Sequence, residues 1–414
     1  MIGEVRIENY KSIQKLKLEL GRVTVLIGEN GCGKSNILEA IALASAAADD
    51  KLDNEFLASR GIRVTEPQFM RSAFERKNLV KNIKIDIKEN QGENFSYLLH
   101  NDNSPYSKWE NKDLFAQEIY LKDIVYYSKA RQNVISTNPK NQPEEVSLED
   151  VKKSIKALEG ASEDELEQML KPKTIQEFLL LLLGSINRSL APAHLIDFTI
   201  YSPEDQALRT FEKEGQIQPL GINGEGLFKL IKFLNSDENQ DRLNQIQEKL
   251  RLIDWFRDFE VPEDLSPMQT SLQIKDKYLD IDLSYFDQRS SNEGFLFVLF
   301  YLALFISDLT PSFFAIDNID ASLNPRLCRR LMQELVELAK KHDKQVIFTT
   351  HNPAVLDGLD LDDDEQRLLV ISRNQLGYTK ARRILKPKPL EGQEPVKLSE
   401  AFLRGYIGGL PKNF

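Results

Sequence analysis

The sequence is poor in cysteine: Cys32 and Cys328 are the two among 414 residues. Neither has a partner at metal-ligand spacing, and two isolated thiols make no disulfide framework. A reducing cytoplasm fits this usage. Long hydrophobic runs are also missing. The longest, 295–306, is too short to span a bilayer and reads as a buried core helix. Positive charge is in deficit, with a formal net charge of −10. An acidic chain is not a bulk nucleic-acid binder, although a local basic face could still serve. Two small basic clusters, Arg326 with Arg329 and Arg330, and Arg382 with Arg383, Lys386 and Lys388, read as solvated faces. There is no internal repeat, no extended heptad pattern and no low-complexity segment. The opening residues MIGEVRIENYKSI alternate like a strand and do not resemble a leader peptide.

What is present is the composition of a globular protein, 41% hydrophobic and 29% charged, with room for two or three domains. Its most informative stretch is Gly28, Glu29, Asn30, Gly31, Cys32, Gly33, Lys34 and Ser35. This fits the phosphate-binding pattern G-x-x-x-x-G-K-[ST] at every fixed position. An apolar strand-like run, Val23–Ile27, precedes it, and a helix-like run over 36–48 follows, which is the context the motif requires. Backbone N–H groups and the new helix's N-terminus make an anion site. Lys34 is expected on the β- and γ-phosphates, and the Ser35 hydroxyl on Mg²⁺.

Around this motif the chain alternates character. Strand periodicity covers residues 2–27, then 83–87 with 95–99 as an antiparallel meander, and 124–127. Residues 49–78 are polar and without clear period. From 147 to 264 the pattern is mostly helical, with helices expected at 147–158, 163–170, 175–186, 225–234, 241–252 and 254–259. A strand pair, 194–202 with 216–220, interrupts them. Strands return at 271–275 and 278–283. A helix over 293–309, an apolar strand over 313–317, a helix over 326–342 and an apolar strand over 345–349 follow. Buried apolar strands alternating with helices imply a largely parallel sheet. The expected fold is therefore α/β. A P-loop ATPase domain is split into residues 1–146 and 265–414 around a mostly helical insertion, 147–264.

Three further positions carry chemistry. Asp317 ends an apolar strand, where a P-loop protein places its Mg²⁺-organising acid. His351 follows the next strand within Thr349, Thr350, His351, Asn352 and Pro353. Ligand sites of open α/β sheets lie at such carboxyl ends, which puts the imidazole near the γ-phosphate. Ser290, Ser291, Asn292, Glu293 and Gly294 precede the apolar helix. On local sequence alone they read as an ordinary N-cap.

In order and spacing these motifs resemble the ABC-type ATPases of the SMC/RecF branch. Val5 to Ile13 resembles that branch's N-terminal strand and turn, and residues 28–35 its Walker A loop. Ser291, Asn292, Glu293 and Gly294 stand at the signature position, and Asp317 ends the Walker B strand. Ala321, Ser322, Leu323, Asn324 and Pro325 look like the D-loop, and His351 like the switch histidine. The resemblance covers 1–140 and 265–360. The short insertion is most similar to the compact AAA ATPases of the overcoming-lysogenisation-defect group, which often serve bacterial antiphage systems. It implies ATP and Mg²⁺ as ligands. Asn30, Gly31, Cys32, Gly33, Lys34, Ser35 and Asn36 would cradle the nucleotide, with Asn292, Glu293 and Gly294 facing it from a second copy. Ser35 and Asp317 would hold the metal.

Two departures stand out. The family places a glutamate after the Walker B aspartate, and this chain has Asn318. An amide can orient water but cannot accept its proton; Asp320 is the candidate substitute. Asn292 replaces the signature serine. Slow hydrolysis is therefore expected, with ATP holding a closed homodimer or higher oligomer. The implied role is a cytoplasmic switch subunit that senses phage infection and controls a separate effector, a nuclease or toxin. A RecF-like ATPase acting on DNA and an ATP-binding scaffold without turnover stand as alternatives. No membrane contact is expected. No nuclease constellation is evident, and the acidic run 360–365 reads as a solvated loop. The glycine-rich apolar tail, 402–414, is expected to dock on its own domain or on a partner.

Overall fold

The computed structural model describes residues 1–90, 92–104, 107–112, 192–209, 219–262, 272–280, 283, 285–386 and 396–410. Expected elements at 124–127, 147–158, 163–170 and 175–186 lie outside the described residues.

Three sheets organise these residues. The first is antiparallel, in the order β2-β1-β4-β5-β6, built from β1 (Ile2–Tyr10), β2 (Ile13–Glu19), β4 (Ile83–Glu89), β5 (Asn94–His100) and β6 (Glu110–Asn111). Its strands alternate buried and exposed residues, as Ile83, Ile85 and Ile87 do along β4. The second has the order β14-β13-β3-β12-β11-β7. It comprises β14 (Thr379–Ile384), β13 (Gln366–Arg373), β3 (Val23–Ile27), β12 (Gln345–Thr350), β11 (Phe313–Ile316) and β7 (Ile200–Tyr201). All neighbours are parallel except the edge pair β13–β14. β3, β11 and β12 are buried at every residue, which explains why apolar residues fill both faces of their central positions. The third sheet, β10-β9-β8, is a small antiparallel one of β8 (Phe256–Glu260), β9 (Gln273–Asp276) and β10 (Phe286–Asp287). The α/β class read from the sequence is the observed class.

Helix α1 (Lys34–Ala48) lies between the first two sheets, with all but Ser35 and Asn36 buried. Its alanines carry no bulk, so both sheets can approach its backbone closely. Helices α2 (Asn54–Ser59) and α3 (Pro67–Met70) follow, so the stretch read as unpatterned is locally structured. Its pattern was hidden because Arg71 is fully buried there: the guanidinium donates to the carbonyls of Lys81 and Asn101 and lies over Trp109.

The region read as an insertion corrects the expectations further. Residues 193–196 form a short helix, α4 (Ala193–Ile196), and the following strand β7 pairs in parallel with β11 at the edge of the large sheet. Of the expected partner strand 216–220, residues 216–218 lie outside the described residues, and Pro219 and Leu220 are irregular. After α5 (Asp205–Arg209), helices α6 (Leu227–Leu234) and α7 (Gln240–Leu250) pack on α8 (Glu293–Ile306). Residues 254–259 are not helical: β8 runs through them. A bulge between Phe256 and Asp258 brings Phe256 and Phe259 to the same core, and that spacing of three imitates a helix. Residues 278–280 turn where a strand over 278–283 was expected, residues 281 and 282 lie outside the described residues, and β10 pairs with β9.

Helix α8 is buried at every residue except Glu293, and its aromatic side chains fill the core beneath β11 and β12. Helix α9 (Pro325–Lys341) is amphipathic, burying Cys328, Leu331, Met332 and Leu335 at helical spacing. A final short helix, α10 (Leu398–Leu403), leads into the tail. No helix among the described residues is long and apolar enough to cross a membrane.

Candidate functional site

Three adjacent strands, β3, β12 and β11, end side by side. The loop 28–33, His351 and Asp317 follow them directly. The loop's shape depends on glycine. Gly33 has φ 108°, and a Cβ there would lie 2.2 Å from Thr379 Oγ1. A Cβ on Gly28 would lie 2.2 Å from the carbonyl of Ile371. Two hydroxyls support the loop from behind. Thr379 Oγ1 donates to the Cys32 carbonyl at 2.9 Å and lies 2.7 Å from Ser12 Oγ. Asn36 Nδ2 donates to Ser12 Oγ at 2.7 Å.

Lys34 is buried and folds back across the loop. Its Nζ donates to the carbonyls of Gly28 at 2.8 Å and Glu29 at 3.1 Å. Its third donor faces Cys32 Sγ at 4.0 Å, a weak acceptor that an anion above the loop can replace. Burial lowers its pKa, while Cys32, Asp317 and Asp320 act in the opposite direction. A bound polyphosphate would favour the charged form further.

Asp317 sits opposite. Its Oδ2 accepts from Ser35 Oγ at 3.0 Å, and its Oδ1 accepts from Thr349 Oγ1. Two neighbouring ligands of an octahedral Mg²⁺ are about 2.9 Å apart, given metal–oxygen distances near 2.05 Å. The hydroxyl and carboxylate therefore already stand at the separation such an ion requires, and the pair fits it.

Asn318 has φ 57°, in the left-handed region where asparagine is among the better tolerated residues. Its N–H donates to Thr349 Oγ1 at 2.9 Å, and that of Ile319 to the Thr349 carbonyl at 3.1 Å. Asp320 Oδ1 accepts from Thr350 Oγ1 at 2.6 Å. Thr349 and Thr350 thus fix the two acids that flank Asn318. No local sequence pattern marks either threonine for this role. His351 is exposed, and partial desolvation followed by the Lys34 charge lowers its pKa.

Asn292 caps α8, accepting from the Phe295 N–H at 3.2 Å. Glu293 accepts from Ser322 Oγ, and a Cβ on Gly294 would lie 3.3 Å from the Ser322 carbonyl. Residues 292–294 therefore lean on the turn after Asp317, and their hydrogen bonds do not reach the phosphate loop of the same chain. Asn30 and Gly31 are exposed at the loop's crest.

A cavity of about 450 Å³ opens beside Ser12 and Asn36, with Lys11, Arg63, Phe69 and Arg373 in its wall. It lies on the outer flank of the loop and offers cations and aromatic surface together. Elsewhere, Arg383 pairs with Asp364 at 2.6 Å and Lys386 pairs with Asp362. Two acids of the run thus pair with two cations of one basic cluster.

The sequence matches the family profile described as "AAA domain, putative AbiEii toxin, Type IV TA system" over residues 23–357. It is similar to the uncharacterized protein MJECL10 of Methanocaldococcus jannaschii, 40% identical over 67 residues, covering 15% of this chain and 31% of that one. It is also similar to the DNA replication and repair protein RecF of Bacillus thuringiensis, 38% identical over 55 residues, covering 13% of this chain and 15% of RecF. These matches span less than a third of either relative's length. In fold it is similar to an SMC head solved bound to the C-winged helix domain of ScpA, with TM-score 0.51 and 13% identity over 93% of this chain and 98% of that one.

Proposed function

The chain belongs to the AAA-domain ATPase family, and from that premise we propose that it is a slowly hydrolysing, ATP-operated switch that works as a pair of copies. The carrying observation is the Ser35–Asp317 contact beneath a Lys34 ammonium whose third donor meets only the weak sulfur acceptor of Cys32. A triphosphate above the loop meets that ammonium and the loop's N–H groups. When bound, Mg²⁺ would neutralise phosphate charge, held by Ser35 and Asp317.

Hydrolysis needs an oriented water. Asn318 can orient one but cannot take its proton, so turnover is slow. Asp320, steadied by Thr350, and His351 are the groups left for that task. Because residues 292–294 lean away from the loop of their own chain, they are free to close over the loop of a second copy. Loss of the γ-phosphate then opens the pair. The role that fits is a switch subunit governing a separate effector in antiviral defence. The short likeness to RecF supports a second reading, in which the pair closes on DNA.

Light scattering with and without ATP and Mg²⁺ tests the proposal. ATP should shift the chain from monomer toward dimer, and Lys34→Ala should remove the shift. Assembly indifferent to ATP, or ATP binding unchanged in Lys34→Ala, would refute it. Addition of duplex DNA separates the two readings, since the second requires DNA to tighten ATP-dependent assembly.

A further inference from the structure

The carboxylate of Glu39, on α1 just past the phosphate loop, is almost fully buried and collects donors from two separate parts of the chain. Tyr10 Oη donates to it at 3.2 Å and Arg63 Nε at 2.5 Å, and Lys11 Nζ forms an ion pair with it. Both cations line the cavity beside the loop. Neither is used up. Lys11 spends one more donor on the Arg63 carbonyl, and Arg63 reaches Asn36 Oδ1 at 3.3 Å, so each keeps an N–H for a ligand. One carboxylate facing two cations leaves the cavity wall net positive.

The backbone adds a second observation. Lys11 sits at φ 43° in the two-residue turn between β1 and β2, a left-handed position that a lysine occupies at a cost. The same turn carries Ser12, which grips Asn36. Asn36 and Glu39 are three residues apart and share one face of α1. Glu39 and Asn36 therefore pin the strained turn to one face of α1.

We propose that Glu39 is a positioning residue for nucleotide binding: it holds Lys11 and Arg63 in the cavity wall, aimed at the anionic chain of a nucleoside triphosphate seated on the phosphate loop. This rests on the ATP-binding reading of the loop. Glu39 does not touch the ligand; it acts through the two cations.

Calorimetric titration of the full chain with Mg-ATP tests this. Glu39→Gln keeps the shape and removes the charge, and should weaken binding about tenfold or more, the usual scale for a charged hydrogen-bond network. In a Lys11→Gln/Arg63→Gln background the same change should alter affinity less than about twofold, because coupled residues are not additive. An unchanged affinity in Glu39→Gln, or an undiminished loss in that background, overturns the inference. Should Glu39→Gln fail to fold, Lys11→Gln and Arg63→Gln carry the test: each should weaken ATP by about fivefold or more, and wild-type affinity in both overturns it. A wild-type chain that ignores ATP, or a Lys34→Ala variant that binds as well, removes the underlying reading and this inference with it.

Discussion

Ser35 Oγ and Asp317 Oδ2 lie 3.0 Å apart across 282 residues of sequence. The contact joins the first turn of α1, which follows β3, to the end of β11, two strands that are not neighbours because β12 runs between them. Thr349, at the end of that intervening strand, bonds the other carboxylate oxygen and so sets the angle of the pair. Asp317→Asn should keep this network and lose the metal's preference for charge. Turnover should fall about a hundredfold or more, the scale of losing a metal's charge stabilisation. Ser35→Ala should act on the same term, so the double variant should be little worse than Asp317→Asn. Steady-state phosphate release against Mg²⁺ concentration reads both.

Asn318 has a backbone reason to be asparagine as well as a chemical consequence. At φ 57° a glutamate costs about 1 kcal/mol more than a residue suited to that region. Asn318→Glu should restore a proton acceptor beside the metal acid and raise turnover by about tenfold or more. It should also lower the melting temperature by a few degrees. Rate and melting curve measured together decide it. A faster and unweakened variant would mean that the backbone plays no part in the choice.

Much of this arrangement was legible in the sequence. Val23–Ile27, Phe313–Ile316 and residues 346–348 are almost wholly apolar because both sheet faces are covered, and the residues after these strands form the candidate site. The glycines of 28–33 and the spacing to Lys34 come from the same local demands. What could not be read was the support. Thr379 reaches the loop from the far end of the chain, and Lys11 meets Glu39 across 28 residues. No local pattern encodes such pairs, since each depends on how the antiparallel sheet lies on α1. β8 looks helical in sequence because its bulge changes the period of burial.

The site should have an acid limit if the proposed reaction uses His351. Its pKa lies below the ordinary value of 6.5, through partial desolvation and then the Lys34 charge. Between the folded value and 6.5 the unfolded chain binds more protons, so this group's contribution to stability is lost as pH falls through that window. Above 6.5 it adds no slope. The imidazole is therefore neutral at pH 7 and can accept a hydrogen bond from water. Turnover should decline on acidification with a midpoint below 6.5, and His351→Gln should be slow with that acid limb flattened. A pH–rate profile of both proteins checks it.

The tail offers the last test, since it lies against the loop that holds Lys34. Ile407 is buried, and its carbonyl accepts from Arg382 Nη2 at 2.6 Å. Gly409 has φ 90°, and a Cβ there would lie 3.1 Å from Phe402, 3.4 Å from Val370 and 3.6 Å from Gly28 Cα. Gly28 in turn offers its carbonyl to Lys34. Gly409→Val should force the tail off by adding both left-handed strain and bulk. Released from this packing, Gly28 is free to move, and the ammonium loses a fixed acceptor. ATP affinity should fall about threefold to tenfold, the share of one modest hydrogen bond. Gly92→Val supplies the control. Gly92 has a similar φ of 98° with nothing within 4 Å of its Cβ position, in the turn between β4 and β5. It should cost comparable stability and leave ATP affinity unchanged. Equal losses of affinity in both variants would mean that general destabilisation, and not the tail's grip on Gly28, is what ATP senses.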